Sequence, residues 1–325
     1  MRPGTPHFGD FDSRDAISFR RLTQNGRAAL MRPLRRMKPL YDFSQLAVDR
    51  TLAPRDGMLA KDADAVLTEQ YFDLGRRALE LIHFSAELCD KPHYPNILDL
   101  PCGHGRVLRW LRAHYHYANI TACDLERDGV DFCAKQFGAK PVYSAVDLHR
   151  LPFQNQFDLI WVGSLVTHLR RDRWLATLDC LVKWTKECGV IVFTTQGRTV
   201  SSLLARGRRN VAENIDKPAL LEEFARTGFA YQRYFESNAE EDYGLALTSP
   251  EWVMRTLQRY PDVIMRAYLE EAWGMQDVVI LYKKAGHYEP ILGVPEMNGT
   301  EAASPVRPVG TAAKAPGFLS RLLGK

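Results

Sequence analysis

At 325 residues, with 46% hydrophobic and 25% charged residues and a net charge of +4, the chain is long enough for one large domain with appendages or two modest ones, and it is ordinary for a globular protein. Its six cysteines show no CxxC pair and no paired histidine spacing, which argues against a zinc site and a disulfide framework and favours a reducing compartment. No run approaches a membrane-spanning length, and the first residues, "MRPGTPHFGDFDSRD", place acids where a signal peptide needs an apolar stretch, so a cytoplasmic protein without a transmembrane segment is expected.

Residues 1–60 are expected to form a basic, partly disordered arm. Arg20, Arg21, Arg27, Arg32, Arg35, Arg36 and Lys38 fall in a stretch with no acid, a pattern suited to weak contact with RNA or an anionic membrane, which would make the protein peripheral to the membrane. A solvated arm with no partner fits the same pattern.

Residues 61–285 are expected to form the main domain. Leu67, Tyr71, Leu74, Ala78, Leu81 and Leu88 recur at helical spacing, which predicts a long helix before the first strand. Short apolar runs follow: "NILDL" (96–100), "NITACDL" (119–125), "KPVYSAV" (140–146), "FDLIWVG" (157–163) and "GVIVFTTQ" (189–196). Helical stretches separate them, the clearest being "RDRWLATLDCLVKW", with Trp174, Leu175, Leu178, Leu181 and Val182 on one face. Strands that are apolar throughout, alternating with amphipathic helices, indicate a doubly wound, mostly parallel α/β sheet covered on both sides. After residue 196 the rhythm breaks, and 197–260 reads as an insertion or lid. "DVIMRAYL" (262–269) and "QDVVILYKK" (276–284) then predict an antiparallel hairpin at one edge. Residues 286–325 are rich in Pro, Ala and Gly and predict a flexible tail.

In an open parallel sheet, ligands bind beyond the carboxyl ends of the strands at the switch point. "DLPCGHGR", which follows the first strand, falls at that place. Gly103 and Gly105 let the backbone approach a ligand with no Cβ in the way. Aligning them with a dinucleotide fingerprint puts Leu108 where a third glycine is wanted. Asp99, four residues before Gly103, would repel a pyrophosphate and instead suits a cationic ligand group.

"ILDLPCGHGR" resembles motif I of class I S-adenosylmethionine-dependent methyltransferases, with Pro101 replacing the usual first glycine. The resemblance covers about residues 66–284 and implies a Rossmann-like fold of seven strands, parallel except for a terminal hairpin strand. It implies S-adenosylmethionine as cofactor, with Asp99 taking the methionine amine, Asp124 the ribose hydroxyls and Asp147 the adenine amine. Pro101, Cys102, Gly103, Gly105, Leu125, Leu148 and Gly163 complete the implied cofactor site. Each acid alone is equally well read as a strand-end or capping residue; their order and spacing favour the joint reading.

The segment "GSLVTHL" resembles the "SxxTHL" form of bacterial members and makes His168 a candidate general base, its ordinary pKa being near neutrality; a helix-capping histidine is the alternative. Ser164, Arg198, Tyr243, Trp273 and Gln276 are the further acceptor-side candidates, although large aromatics such as Trp273 more often sit in cores. No metal is implied. The expected activity is methyl transfer to a small-molecule or saccharide acceptor, with a hydroxyl as the accepting group. The competing expectation is a methyltransferase-fold scaffold that binds RNA or membrane through its basic arm.

Overall fold

The computed structural model describes residues 41–59, 64–207, 215–234 and 243–286. The basic run from Arg20 to Lys38 and the tail from residue 287 onward lie outside the described residues. In chain order, α1 (Ala65–Leu88) leads to β1 (Asn96–Asp99), α2 (Leu108–His114), β2 (Asn119–Asp124), α3 (Arg127–Phe137) and β3 (Lys140–Tyr143). Then follow β4 (Phe157–Val162), α4 (Arg171–Trp184) and β5 (Thr185–Thr195). The segment α5 (Arg198–Ala205), α6 (Lys217–Thr227), β6 (Phe229–Arg233), β7 (Gly244–Thr248) and α7 (Pro250–Leu257) precedes the closing hairpin of β8 (Val263–Trp273) and β9 (Gln276–Lys283).

Seven strands form one sheet in the order β3-β2-β1-β4-β5-β9-β8. The first five run parallel, and β9 pairs antiparallel with both β5 and β8. Because β1 pairs with β2 on one side and β4 on the other, the chain reverses its direction of travel across the sheet at β1, which places the switch point there. The central strands are apolar at consecutive positions because both faces are covered. Ile97, Ile120, Leu159 and Trp161 pack with Leu79 and Ile82 of α1 and Leu108 and Leu111 of α2. Leu98, Ile160, Val162 and Phe193 point the other way, onto Trp174, Leu178 and Leu181 of α4 and Trp252 of α7. Burying each such side chain is worth about 2 kcal/mol.

Local signals set the element ends. The Asp64 carboxylate accepts from the Leu67 N–H at 2.9 Å and starts α1, and Gly138 ends α3 with φ +62°, a conformation glycine adopts without a Cβ penalty. The hairpin is tighter than the sequence implies: β8 runs on to Trp273, leaving residues 274–275 as the turn, with Gly274 at φ +67°. Strand β5 begins at Thr185, earlier than its apolar run, because Phe157 pairs with Thr185 across an irregularity in the ladder. Strand β3 stops at Tyr143, where the Ser144 N–H turns to the Asp124 carbonyl at 2.7 Å.

Residues 41–59, read from the sequence as part of the basic arm, form a strap across α1 and α2, with Phe43 buried in the core. Arg109 of α2 holds this strap by donating from Nη1 to the carbonyls of Asp49 (3.1 Å) and Thr51 (3.0 Å). The segment 197–260 builds a small antiparallel pair, β6–β7, over its own cluster of Val200, Leu204, Leu220, Ala230, Leu245 and Leu247. Among the described residues, no helix is long and apolar enough to cross a membrane.

Candidate active site

The carboxyl ends of β1 and β2 carry Asp99 and Asp124, separated by the turn from Pro101 to Arg106. The Leu100–Pro101 peptide is cis. Gly103 and Gly105 both have positive φ, +48° and +79°, and a Cβ on Gly105 would stand 2.5 Å from the Phe137 ring. Two further glycines press on this turn. A Cβ on Gly129 of α3 would lie 2.4 Å from the Gly103 carbonyl oxygen, and one on Gly75 of α1 would lie 2.2 Å from the Arg106 carbonyl oxygen. The loop is therefore clamped between two helices that reach it only because neither has a side chain there.

Asp124 shapes the loop directly. One carboxylate oxygen accepts from the Gly103 N–H at 2.8 Å and the other from the Glu126 N–H at 3.0 Å. Burial raises its pKa, partly offset by these backbone donors. Asp99 is different: it is 1% exposed, and neither of its carboxylate oxygens has a hydrogen-bond partner. Burial, and then the neighbouring Asp124 charge, push its pKa well above the usual carboxylate range, opposed by Arg106. Arg106 also has a buried, unpartnered Nε, and its guanidinium lies 5.1 Å from the centre of the Trp273 ring. Cys102 is buried, and its neighbour Cys133 together with burial keeps the thiol protonated.

His104, inside the glycine turn, is buried between acids from two elements. Its Nε2 is 3.2 Å from Asp128 of α3, and its Nδ1, which has no hydrogen-bond partner, is 3.9 Å from Asp56 of the strap. Asp56 also accepts from the Tyr71 hydroxyl at 2.6 Å. Arg109 joins the same cluster, donating from Nε to the Gly105 carbonyl at 2.9 Å. None of Asp56, His104, Arg106 and Arg109 was assigned from sequence. The bracketing of His104 by two glycines was the one visible signal.

Asp147 is exposed and caps the short 3₁₀ turn Leu148–Arg150, accepting from the His149 N–H at 3.1 Å. Leu148 lies in that turn, half-buried. Leu125, Tyr143 and Val146 are large apolar groups left exposed around the ends of β2 and β3. Gly163 follows β4, where a Cβ would stand 3.0 Å from Trp161 and 3.2 Å from Trp273.

Beyond β4 and β5 several polar groups satisfy one another, although Thr167 Oγ1, in the turn after β4, is buried without a partner. The Ser164 N–H donates to the Thr194 hydroxyl (2.8 Å), which donates to Gln276 Oε1 (2.5 Å), whose amide donates back to the Ser164 hydroxyl (2.8 Å). Asp277 accepts from the Tyr268 hydroxyl at 2.9 Å and the Glu271 N–H at 3.1 Å, and burial lifts its pKa to about 6. His168 is buried, with Nδ1 2.8 Å from the Gly244 carbonyl and its ring stacked on Tyr243, centroids 4.3 Å apart. Burial raises the Tyr243 hydroxyl pKa, and the charges of Tyr234 and Asp124 push in the same direction. Arg198 is exposed and paired with Glu270. Trp273 is buried, its indole N–H donating to the Leu74 carbonyl at 2.8 Å, a packing position that ties the hairpin to α1. Among the described residues, no three His, Cys, Asp or Glu side chains are placed to hold a metal ion.

Residues 97–189 match the model of a methyltransferase domain family. The seven-stranded order with its antiparallel closing hairpin agrees with the fold that the resemblance of "ILDLPCGHGR" implies. No curated protein matches the chain. Among solved structures, the PH0226 protein of Pyrococcus horikoshii aligns with TM-score 0.49 at 13% identity, over 72% of this chain and 97% of that one. An S-adenosylmethionine-dependent methyltransferase of Clostridium acetobutylicum aligns with TM-score 0.45 at 15% identity, over 69% and 94%. The N-methyltransferase NodS of Bradyrhizobium japonicum, solved with S-adenosylhomocysteine, aligns with TM-score 0.40 at 14% identity, over 74% and 95%.

Proposed function

We propose that the protein is a methyltransferase that uses S-adenosylmethionine and delivers the methyl group to a small-molecule or saccharide acceptor, with a hydroxyl as the accepting group. The observation that carries the cofactor assignment is the Asp99 carboxylate, sealed from water with both oxygens unpartnered at the sheet's switch point. A buried carboxylate without a partner is costly, and a cationic ligand group removes that cost. The methionine end of the cofactor brings an ammonium. Asp124 uses one lone pair on each oxygen for the backbone and keeps acceptor capacity for the ribose hydroxyls. The exposed apolar groups Leu125, Tyr143 and Val146 supply a surface for the adenine ring, with Asp147 beside them.

The cofactor supplies an activated methyl group on a sulfonium, so the protein's tasks are alignment and exclusion of water. On the acceptor side, the Gly244 carbonyl can only accept. The hydrogen therefore sits on His168 Nδ1, and His168 is the residue we propose as general base for an acceptor hydroxyl. Ser164, Tyr243 and Gln276 are the polar groups proposed to orient that acceptor.

Isothermal titration with S-adenosylhomocysteine tests the cofactor assignment. Wild-type protein is expected to bind it, and Asp124→Asn to bind at least tenfold more weakly, about 1.4 kcal/mol; equal binding by the two proteins contradicts the assignment. Incubation with tritiated S-adenosylmethionine and separated glycan, lipid, RNA and protein fractions tests the acceptor. Label is expected in small-molecule or glycan material, and label confined to RNA or protein rejects the acceptor class.

A further inference from the structure

Asp99 and Arg106 carry opposite charges on one short turn, yet they form no ion pair. Each influences the other's ionisation, Tyr71 and Asp56 acting on Arg106 ahead of Asp99, but both Asp99 oxygens and Arg106 Nε are buried without a hydrogen-bond partner. A structural ion pair would have closed this gap, because buried charges are stable only when paired and hydrogen-bonded. Arg106 is also held where it stands. Its backbone presses on α1 at Gly75, and its guanidinium rests against the Trp273 ring, which is itself pinned to Leu74.

We propose that Asp99 and Arg106 together read an α-amino-acid group, Asp99 taking the ammonium and Arg106 the α-carboxylate, so that Arg106 selects the intact aminoacyl end of the cofactor over its decarboxylated form. The inference rests on the S-adenosylmethionine reading above. A zwitterion is the ligand group that compensates both charges at once: an amine alone leaves Arg106 unpaired, and a carboxylate alone leaves Asp99 unpaired. Guanidinium and carboxylate match in geometry as two parallel donors on two oxygens.

The test is a cycle between protein variant and ligand truncation. Wild-type, Arg106→Met and Arg106→Lys proteins are titrated calorimetrically with three ligands: S-adenosylhomocysteine, its decarboxylated thioether, which keeps the amine and lacks the carboxylate, and 5′-methylthioadenosine, which lacks the whole aminoacyl end. Wild type is expected to favour S-adenosylhomocysteine over the decarboxylated thioether by at least tenfold. Arg106→Met is expected to lose that preference while binding the two truncated ligands as wild type does, because variant and truncation remove the same contact. Arg106→Lys, which keeps the charge without the fork, is expected to retain part of the preference. Equal losses for all three ligands would show that Arg106 only supports the loop and would overturn the proposal, as would an unchanged preference in Arg106→Met. Failure of wild type to bind any of the three removes the cofactor reading itself, an outcome distinct from either of these.

Discussion

The carboxyl edge of the sheet has two halves built on opposite principles. Around β4, β5 and β9, polar groups close on themselves: Ser164, Thr194 and Gln276 form a ring of hydrogen bonds, and Asp277 is satisfied by Tyr268 and Glu271. Around β1 the charges are left open, with Asp99 and the Nε of Arg106 buried and unpartnered and His104 Nδ1 unpartnered between acids. Buried polar groups are normally satisfied, so a cluster of exceptions marks a place that a ligand completes. The open half is left for a charged ligand group to complete, and the closed half holds its polar groups in a fixed arrangement. The open half is held in shape from outside, by the two helix glycines and by Arg109, which ties the Gly105 carbonyl to the strap.

The comparison breaks most completely at Gly129. Replacing it with alanine adds helix propensity worth about 1 kcal/mol, but it also drives a Cβ into the Gly103 backbone, which is 2.4 Å away at the carbonyl oxygen and 2.7 Å at the carbon. Either α3 or the glycine turn must shift. The expected result is a loss of S-adenosylhomocysteine affinity greater than a hundredfold in calorimetry while far-ultraviolet circular dichroism stays native. Wild-type affinity in Gly129→Ala would show that the turn is not clamped by α3.

The closed half is sharpened by a smaller effect, read from pH. Asp277 has a folded pKa of about 6, raised by burial, against an ordinary value near 4. The folded state therefore binds more protons than the unfolded state between those values, and this residue makes stability fall as pH rises from about 4 through about 6. Asp277→Asn keeps an acceptor for the Glu271 N–H and removes the titration. Its stability relative to wild type, followed by melting temperature, is expected to climb across that interval and then level off, by an amount on the order of 1–2 kcal/mol. A difference that stays flat with pH would mean that Asp277 ionises as an ordinary surface acid.

Much of the sheet was legible in the sequence because its signals are local. Consecutive apolar residues in "NILDL" and "FDLIWVG" report burial on both faces, and the glycines after β1 report a turn. The acids at the ends of β1 and β2 were legible by their place after apolar runs. Elements depending on distant pairing were not. Thr185 joins β5 only because Phe157 lies opposite it, and residues 41–59 read as part of an arm because their partners, Arg109, Tyr71 and His104, come from later segments. Arg106 and His104 sat inside the quoted motif, but their unpartnered atoms are a property of three-dimensional burial. The helix residue Gly129 carries a sequence signal, a glycine one position after Asp128 in the first turn of α3, whose meaning appears only where Gly103 meets it.

Thermal denaturation of wild-type and Asp99→Asn protein at pH 8, each with and without S-adenosylhomocysteine, tests most directly the claim that the open charges form the ligand site. Asp99 is raised by burial, so the folded state binds more protons than the unfolded state and stability is lost as pH rises above the ordinary carboxylate value. Without ligand, Asp99→Asn is therefore expected to melt at a higher temperature than wild type. With ligand, the wild-type melting temperature is expected to rise while that of Asp99→Asn stays almost unchanged. Equal ligand-induced shifts in the two proteins, or a lower melting temperature for unliganded Asp99→Asn, would contradict the account.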